Sequence, residues 1–304
     1  MAVAQQATTP KRRELPRAFG WLGWLGSTLR IMRRNKIGFA GFLIVVAMTL
    51  ISYIAPIFWP FDPTADPMSI YKTPSSAHWL GTDSQGRDVF SQILNGGAAI
   101  LSVGYIAAAI TTVIGVALGA LAAYLGGAVD TVLTWLSDVF LTIPQFALLA
   151  VLAGFVHLNG IWGVALLIGF FGWPGLMRAI RSQVLSLKER EYVEAAKMLD
   201  MPTSYIIFRE IAPGMAGYIA THFVLNVTAA MYASVGLIFL GIVPLSGVNW
   251  GVMLNLAWTQ GAIFFQDSLW YILSPMIAIV LFQLAMLSMS RSISEIFDPR
   301  LRER

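Results

Sequence analysis

The chain has 304 residues, of which 57% are apolar and 12% charged, against about 45–50% and 25% in an ordinary soluble domain. That balance excludes a single water-soluble domain, and the absence of cysteine excludes thiol catalysis, disulfides and thiolate metal sites. The net charge of +4 is distributed in a way that reports membrane topology and gives no support to nucleic-acid binding.

Residues 1–36 are polar and basic, with Lys11, Arg12, Arg13, Arg17, Arg30, Arg33, Arg34 and Lys36. No apolar run with a small-residue cleavage site comes before the first long one, so no cleaved leader is expected. Trp21, Leu22, Trp24, Leu25 and Leu29 fall on one helical face beside Arg30, Arg33 and Arg34. This pattern predicts a short helix lying on the inner leaflet.

Six apolar runs follow, each long enough to cross the roughly 30 Å hydrocarbon core. They are Ile37–Trp59, Ala98–Leu125, Val132–Val156, Ile161–Met177, Met215–Val243 and Leu269–Met289. With the N-terminus inside, all but Lys72 and Arg87 of the 20 Lys and Arg residues lie on the inner side. The positive-inside rule then places both termini in the cytoplasm. Gly115 and Gly119 form a GxxxG that predicts close helix packing. Asp138 is an ionisable group within the third run, costly unless partnered. Arg178 and Arg181, at the inner end of the fourth run, are its expected partners.

No lysine follows a glycine, so a Walker-type phosphate loop is absent, and His78, His157 and His222 have no metal-ligand spacing. The segment 178–214 is more informative. Its stretch from Lys188 to Pro202 is rich in helix formers, with Tyr192, Ala195, Ala196 and Leu199 spaced to share one face. Small side chains at Ala195 and Ala196 would let that face sit deep in a groove on another protein. The helix should stop near Asp200, because Pro202 disfavours helical geometry at Met201. A second amphipathic stretch, Ser204 to Glu210, leads to Ile211-Ala212-Pro213.

Glu194-Ala195-Ala196 followed by Ile211-x-Pro213 resembles the EAA loop of ABC importer permeases. The resemblance implies that Glu191, Tyr192, Glu194, Ala195, Ala196, Leu199 and Asp200 form a coupling helix docking on a separate ATPase. Glu194 would hold the loop or contact the ATPase, and Ala195 and Ala196 would be the close-packed surface. Asp200 stands where the family usually has Gly, and Ala212 where it has Leu. Asp can take the left-handed conformation that Gly supplies at a helix end, at greater steric cost.

Leu80-Gly81-Thr82-Asp83-Ser84-Gln85-Gly86-Arg87-Asp88 is similar to the LGTDxxGRD signature of the dipeptide/oligopeptide/nickel class, in its C-type subunit. Gly81 and Gly86 permit tight turns, and Asp83, Arg87 and Asp88 are expected to pair with one another as a structural clasp. Phe239-Leu240-Gly241, Asn249-Trp250-Gly251 and Asp298-Pro299-Arg300 extend the likeness over nearly the whole chain from about residue 30. The implied fold class is all-α: a polytopic membrane protein of six transmembrane helices with a cytoplasmic coupling helix, the type I importer permease fold.

The implied function is half of a translocation pathway in the cell membrane of a prokaryote. Its partners would be a homologous B-type permease, two ABC ATPases carrying the ATP and Mg, and an extracytoplasmic binding protein. The chain itself would be non-catalytic and hold no cofactor. Peptides are the first expected substrate, with oligosaccharides or nickel complexes behind, and Asn226, His222 and Gln283 are candidate pathway residues. An ion-gradient-driven carrier is the alternative. It would call for paired intramembrane carboxylates or discontinuous helices in two repeats, and only Asp138 qualifies.

Overall fold

The computed structural model describes residues 32–33, 35–155, 160–202, 205–243 and 247–296. The expected interfacial helix around Trp21, together with His157 and Asp298-Pro299-Arg300, lies outside these. Among the described residues there is no strand, only an isolated antiparallel bridge between Thr82 and Asp88.

The helices in chain order are α1 (Lys36–Phe58), α2 (Val89–Leu125), α3 (Gly127–Thr142), α4 (Gln145–Phe155), α5 (Gly160–Phe171), α6 (Trp173–Lys188), α7 (Glu191–Met198), α8 (Ala212–Phe239), α9 (Trp250–Thr259) and α10 (Leu269–Ile296). Four of them, α1, α2, α8 and α10, are long and apolar enough to cross a bilayer. The pairs α3–α4 and α5–α6 pass the same test together but are bent by 85° and 45°. The described chain therefore has four spans, or up to six with each bent pair counted as one.

The third and fourth predicted spans are thus broken, not straight. Pro144 pushes Ile143 into extended backbone, with φ −88° and ψ 127°, as expected of a residue before proline. Pro174 sits in the first turn of α6 just after Gly172, a position where its missing amide costs nothing.

Helix α2 is the axis of the bundle, contacting α1, α3, α5, α6 and α8, while α10 packs along α1 and α8. It runs for 37 residues, about 55 Å at 1.5 Å per residue, and begins nine residues before the apolar run does. Gly115 and Gly119 bring it against α6: a methyl group on Gly119 would lie 2.6 Å from the Met177 carbonyl oxygen and 2.8 Å from Ile180 Cβ. The expected close approach is present and its partner is α6. A main core joins α1, α2, α8, α9 and α10 around Ile100, Leu101, Met231, Trp250 and Phe282. Helix α9 forms within a stretch that reads as a connecting loop. Asn249 caps it by accepting from the Val252 amide at 2.9 Å, and the buried Trp250 indole donates to the Ile93 carbonyl at 3.0 Å.

Candidate functional site

Two motif-bearing segments sit at opposite ends of α2. At its start, the buried carboxylate of Asp83 organises the 60–88 segment. Asp83 Oδ1 accepts from the amides of Gln85 (2.8 Å) and Arg87 (2.9 Å), and Oδ2 accepts from Arg87 Nε (2.7 Å) and Gln92 Nε2 (2.8 Å). Gly81 and Gly86 have φ of +74° and +76°, the left-handed region glycine enters at little cost. A Cβ on Gly86 would also collide with the Asp66 carbonyl oxygen at 1.9 Å. Thr82 straps the turn to residues 69–72, its hydroxyl donating to the Ser69 carbonyl and accepting from the Lys72 amide. Asp62 and Asp66 lie in the same segment. Thr64 hydrogen bonds hold the Asp62 carboxyl below its ordinary value, and the Ser69 hydroxyl and Met68 amide do the same for Asp66.

The expected clasp is therefore half as the sequence suggested. Asp83 and Arg87 pair, but Asp88 does not join them. It caps α2 by accepting from the Ser91 amide at 2.7 Å and bonds His78 Nδ1 at 3.1 Å. Gln92, missed in the sequence because it reads as a polar break before the apolar run, is the additional Asp83 partner.

At the far end of α2, Lys188 Nζ donates to the carbonyls of Ala123 (3.2 Å) and Tyr124 (3.4 Å). A cation at the carbonyl end of a long helix is favourably placed, and it fixes where α6 hands over to α7. The eight-residue α7 has two faces. Val193 and Ala196 are buried in a cluster with Ala123, Val184, Ile206, Ile211 and Met215. Tyr192 (44% exposed), Met198 (85%) and Leu199 (69%) point away, and Glu191, Glu194 and Ala195 are exposed as well. This corrects the single face expected from the sequence: Ala196 belongs with Val193 on the inner side, and Ala195 with Tyr192 and Leu199 on the outer side. Glu191 and Glu194 occupy the first turn, where negative charge suits the helix dipole.

The helix ends on Asp200, whose φ is +51°. Its amide donates to the Lys197 carbonyl at 3.0 Å and the Met201 amide donates to Ala196 at 3.2 Å, the paired bonds of a Schellman cap. The left-handed conformation is thus adopted by Asp in the usual glycine position. Beyond Pro202, Ile206–Ile211 forms a π-helical turn running directly into α8, in place of a separate amphipathic stretch.

The ion pairs also differ in register from expectation. Arg178 pairs with Asp138 as predicted, but Arg181 makes a two-pronged contact with Asp130. Asp130 reads as part of an inner loop, yet it lies in the first turn of α3. Its spacing from Thr134 and Asp138, four residues each, was the available signal that all three share a face. Two ion pairs, at Asp130 and Asp138, therefore fasten α3 to α6.

Between the ends of α2, both bends open on one cavity of about 460 Å³, lined by Thr111, Gln145, Phe146, Gly172, His222, Asn226 and Tyr232 among others. No Asp, Glu, Lys or Arg lines it. Irregular backbone at membrane depth is tolerated where it lines a cavity, and here the breaks at 142–145 and 171–173 both do so. Asn226 Nδ2 donates to Thr112 Oγ1 at 3.2 Å. Of the three expected pathway residues His222 and Asn226 reach this cavity, whereas Gln283 does not. Its amide nitrogen donates to the Thr228 carbonyl at 3.3 Å between α10 and α8.

A bundle of long apolar helices with two bent pairs meeting at a cavity free of Asp, Glu, Lys and Arg defines a multi-pass membrane protein. Comparison with known proteins makes the class specific. The family described as binding-protein-dependent transport system inner membrane component matches residues 115–303, and the N-terminal transmembrane domain of oligopeptide transport permease C matches residues 24–74. A putative peptide permease protein of Brucella suis is 32% identical over 269 residues, covering 88% of each chain. The oligopeptide transport system permease protein OppC of Bacillus subtilis is 33% identical over 232 residues (76% of this chain, 75% of the relative). The dipeptide transport system permease protein DppC of the same organism is 31% identical over 283 residues (92% and 87%). The chain belongs to the family of inner-membrane components of binding-protein-dependent transport systems, the permease subunits of ABC importers. Family membership carries with it an ATPase and a substrate-binding protein as partners in general.

Proposed function

We propose that this chain is the C-type permease of an ATP-driven peptide importer, supplying half of the pathway beside a homologous B-type permease. One of two ABC ATPases, the pair that binds ATP and Mg, docks on α7, and an extracytoplasmic binding protein delivers the substrate to the opposite side. The permease itself catalyses nothing. The relatives named as peptide, oligopeptide and dipeptide permeases favour peptides over oligosaccharides or nickel complexes. The clustering of Lys and Arg in 1–36, 178–214 and 290–304 favours both termini in the cytoplasm.

The observation that carries the proposal is the division of α7. Its inner face is locked to α2, α6 and the start of α8 by Val193 and Ala196, while Tyr192, Ala195, Met198 and Leu199 leave an apolar surface uncovered. A docking subunit moving α7 moves α6 through the two-residue link after Lys188. Through the ion pairs of α6 with Asp130 and Asp138 it also moves α3, and so the bend beside the cavity. ATP binding in the ATPases shifts the pathway between inward-facing and outward-facing states because they bind the two with different affinity. Polar groups without net charge along the cavity suit passage of a peptide, which presents amides to be hydrogen-bonded at every residue.

Replacing Ala195 with Arg puts a large charged side chain on the uncovered surface and leaves the buried face intact. ATP-dependent uptake of a labelled dipeptide into proteoliposomes should be lost while membrane insertion is unchanged. Normal uptake in that variant overturns the assignment of α7.

A further inference from the structure

The 60–88 segment and the adjoining ends of α1 and α2 enclose a second cavity of about 340 Å³, separate from the one between the bends. Trp59, Phe61, Trp79 and Phe90 line it together with the carboxylates of Asp62 and Asp88. Three of the rings form a mutual cluster, with centroid separations of 4.9 Å (Trp79–Phe90), 6.3 Å (Trp59–Phe90) and 6.4 Å (Trp59–Trp79). His78 lines it as well, its ring bonded to Asp88, and no Lys or Arg does.

Aromatic residues at the end of a span form interfacial belts, which accounts for Trp59 and Trp79 but not for two carboxylates opening on the same space. Asp62 Oδ1 accepts from the Thr64 amide and hydroxyl, and among the described residues Oδ2 has no hydrogen-bond partner. The oxygens of Asp88 are engaged by the Ser91 amide and by His78 Nδ1, and each keeps a second acceptor position. Electron-rich ring faces with carboxylates at the rim attract a cation that is itself partly apolar. The protein already uses this chemistry at the edge of the site: the Arg87 guanidinium lies 5.7 Å from the Phe61 ring centroid, with its charge balanced by Asp83.

We infer that this cavity is a binding site for an organic cation, an ammonium or guanidinium group, held against the aromatic wall of Trp59, Trp79 and Phe90 by the carboxylates of Asp62 and Asp88. Trp59 and Trp79 are 53% and 61% exposed, so a ligand enters without rearrangement of the helices. The pocket is large enough for one basic side chain or one lipid headgroup amine, and the two sources share the same chemistry.

The test uses the full chain in a nonionic maltoside detergent and ligand-observed NMR titration. N-acetylarginine amide carries the guanidinium, and N-acetylcitrulline amide is its neutral isostere. The arginine probe should bind saturably and the citrulline probe about tenfold more weakly or worse, the scale of one cation contact to ring and carboxylate. Asp62→Asn and Trp79→Leu, both at exposed positions, should each weaken the arginine probe by about tenfold with unchanged thermal unfolding. Equal binding of the two probes, or full binding in both variants, overturns the site. Adding phosphatidylethanolamine then distinguishes the sources. Displacement of the probe makes the lipid amine the resident cation, and retention makes it a soluble one.

Discussion

The clasp at the start of α2 yields the sharpest quantitative expectation, from the substitution Asp83→Asn. The Asp83 side chain is fully buried and Arg87 is 13% exposed. Asp83 is surrounded by donors only: two backbone amides on one oxygen, and Arg87 and Gln92 on the other. Asparagine offers one acceptor oxygen and an amino group. Whichever way the amide turns, an N–H must face N–H groups. Gln92 can rotate its own amide to accept, but Arg87 cannot, and it loses its counter-charge. Removing one member of a buried pair costs about 3–5 kcal/mol. Since Arg87 keeps some contact with water, the low end of about 3 kcal/mol applies, equivalent to about a hundredfold more frequent local opening. Hydrogen-exchange mass spectrometry on peptides covering 60–92 reads this directly, because the Gln85 and Arg87 amides are bonded to the substituted side chain. Asp88→Asn in the same loop is the internal control. Asn caps helices about as well as Asp, so its effect should stay below about 1 kcal/mol. Parent-like exchange in Asp83→Asn, or an equal effect from Asp88→Asn, refutes the reasoning.

Two further substitutions test packing and capping. Gly119→Ala forces a methyl group against the Met177 carbonyl and Ile180, and should destabilise by about 1–3 kcal/mol as α2 and α6 separate. Gly154→Ala, with nothing within 4 Å of the added carbon, should be neutral or stabilising; equal melting temperatures for the two variants in micelles would contradict the close approach. Asp200→Gly relieves the left-handed conformation at the end of α7 and should slow amide exchange at Leu199–Met201 by the equivalent of up to about 1 kcal/mol. Faster exchange there would mean that the Asp side chain is what holds the cap.

The spans were legible because long uncharged runs have few alternatives to helix in a bilayer, and α1 falls within one residue of the run that predicts it. What escaped was the geometry at their margins. The first nine residues of α2 include Ser91, Gln92 and Asn95, whose polarity reads as loop although the Ser91 amide completes the Asp88 cap, Gln92 serves the clasp and Asn95 the end of α1. The bends were written in Pro144 and Pro174, but hydropathy summed over a window cannot see a kink. On α7, composition made Ala195 and Ala196 look equivalent. A difference of 100° around the helix, set by what Val193 packs against, places one outside and the other inside. Asp130 escaped because which arginine it meets depends on how α3 crosses α6, and the four-residue spacing it shares with Thr134 and Asp138 shows only that the three lie on one face.

The central claim is that the uncovered face of α7 receives a separate ATPase, and the most direct measurement is photo-crosslinking in the cell membrane. A benzophenone amino acid is placed singly at positions 195, 199 and 64, and the captured protein is identified by mass spectrometry. The account predicts that positions 195 and 199 capture a Walker-motif-bearing ATPase subunit and that position 64, at the other end of α2, does not. Failure of both α7 positions to capture an ATPase, or capture of the same ATPase from position 64, would contradict it.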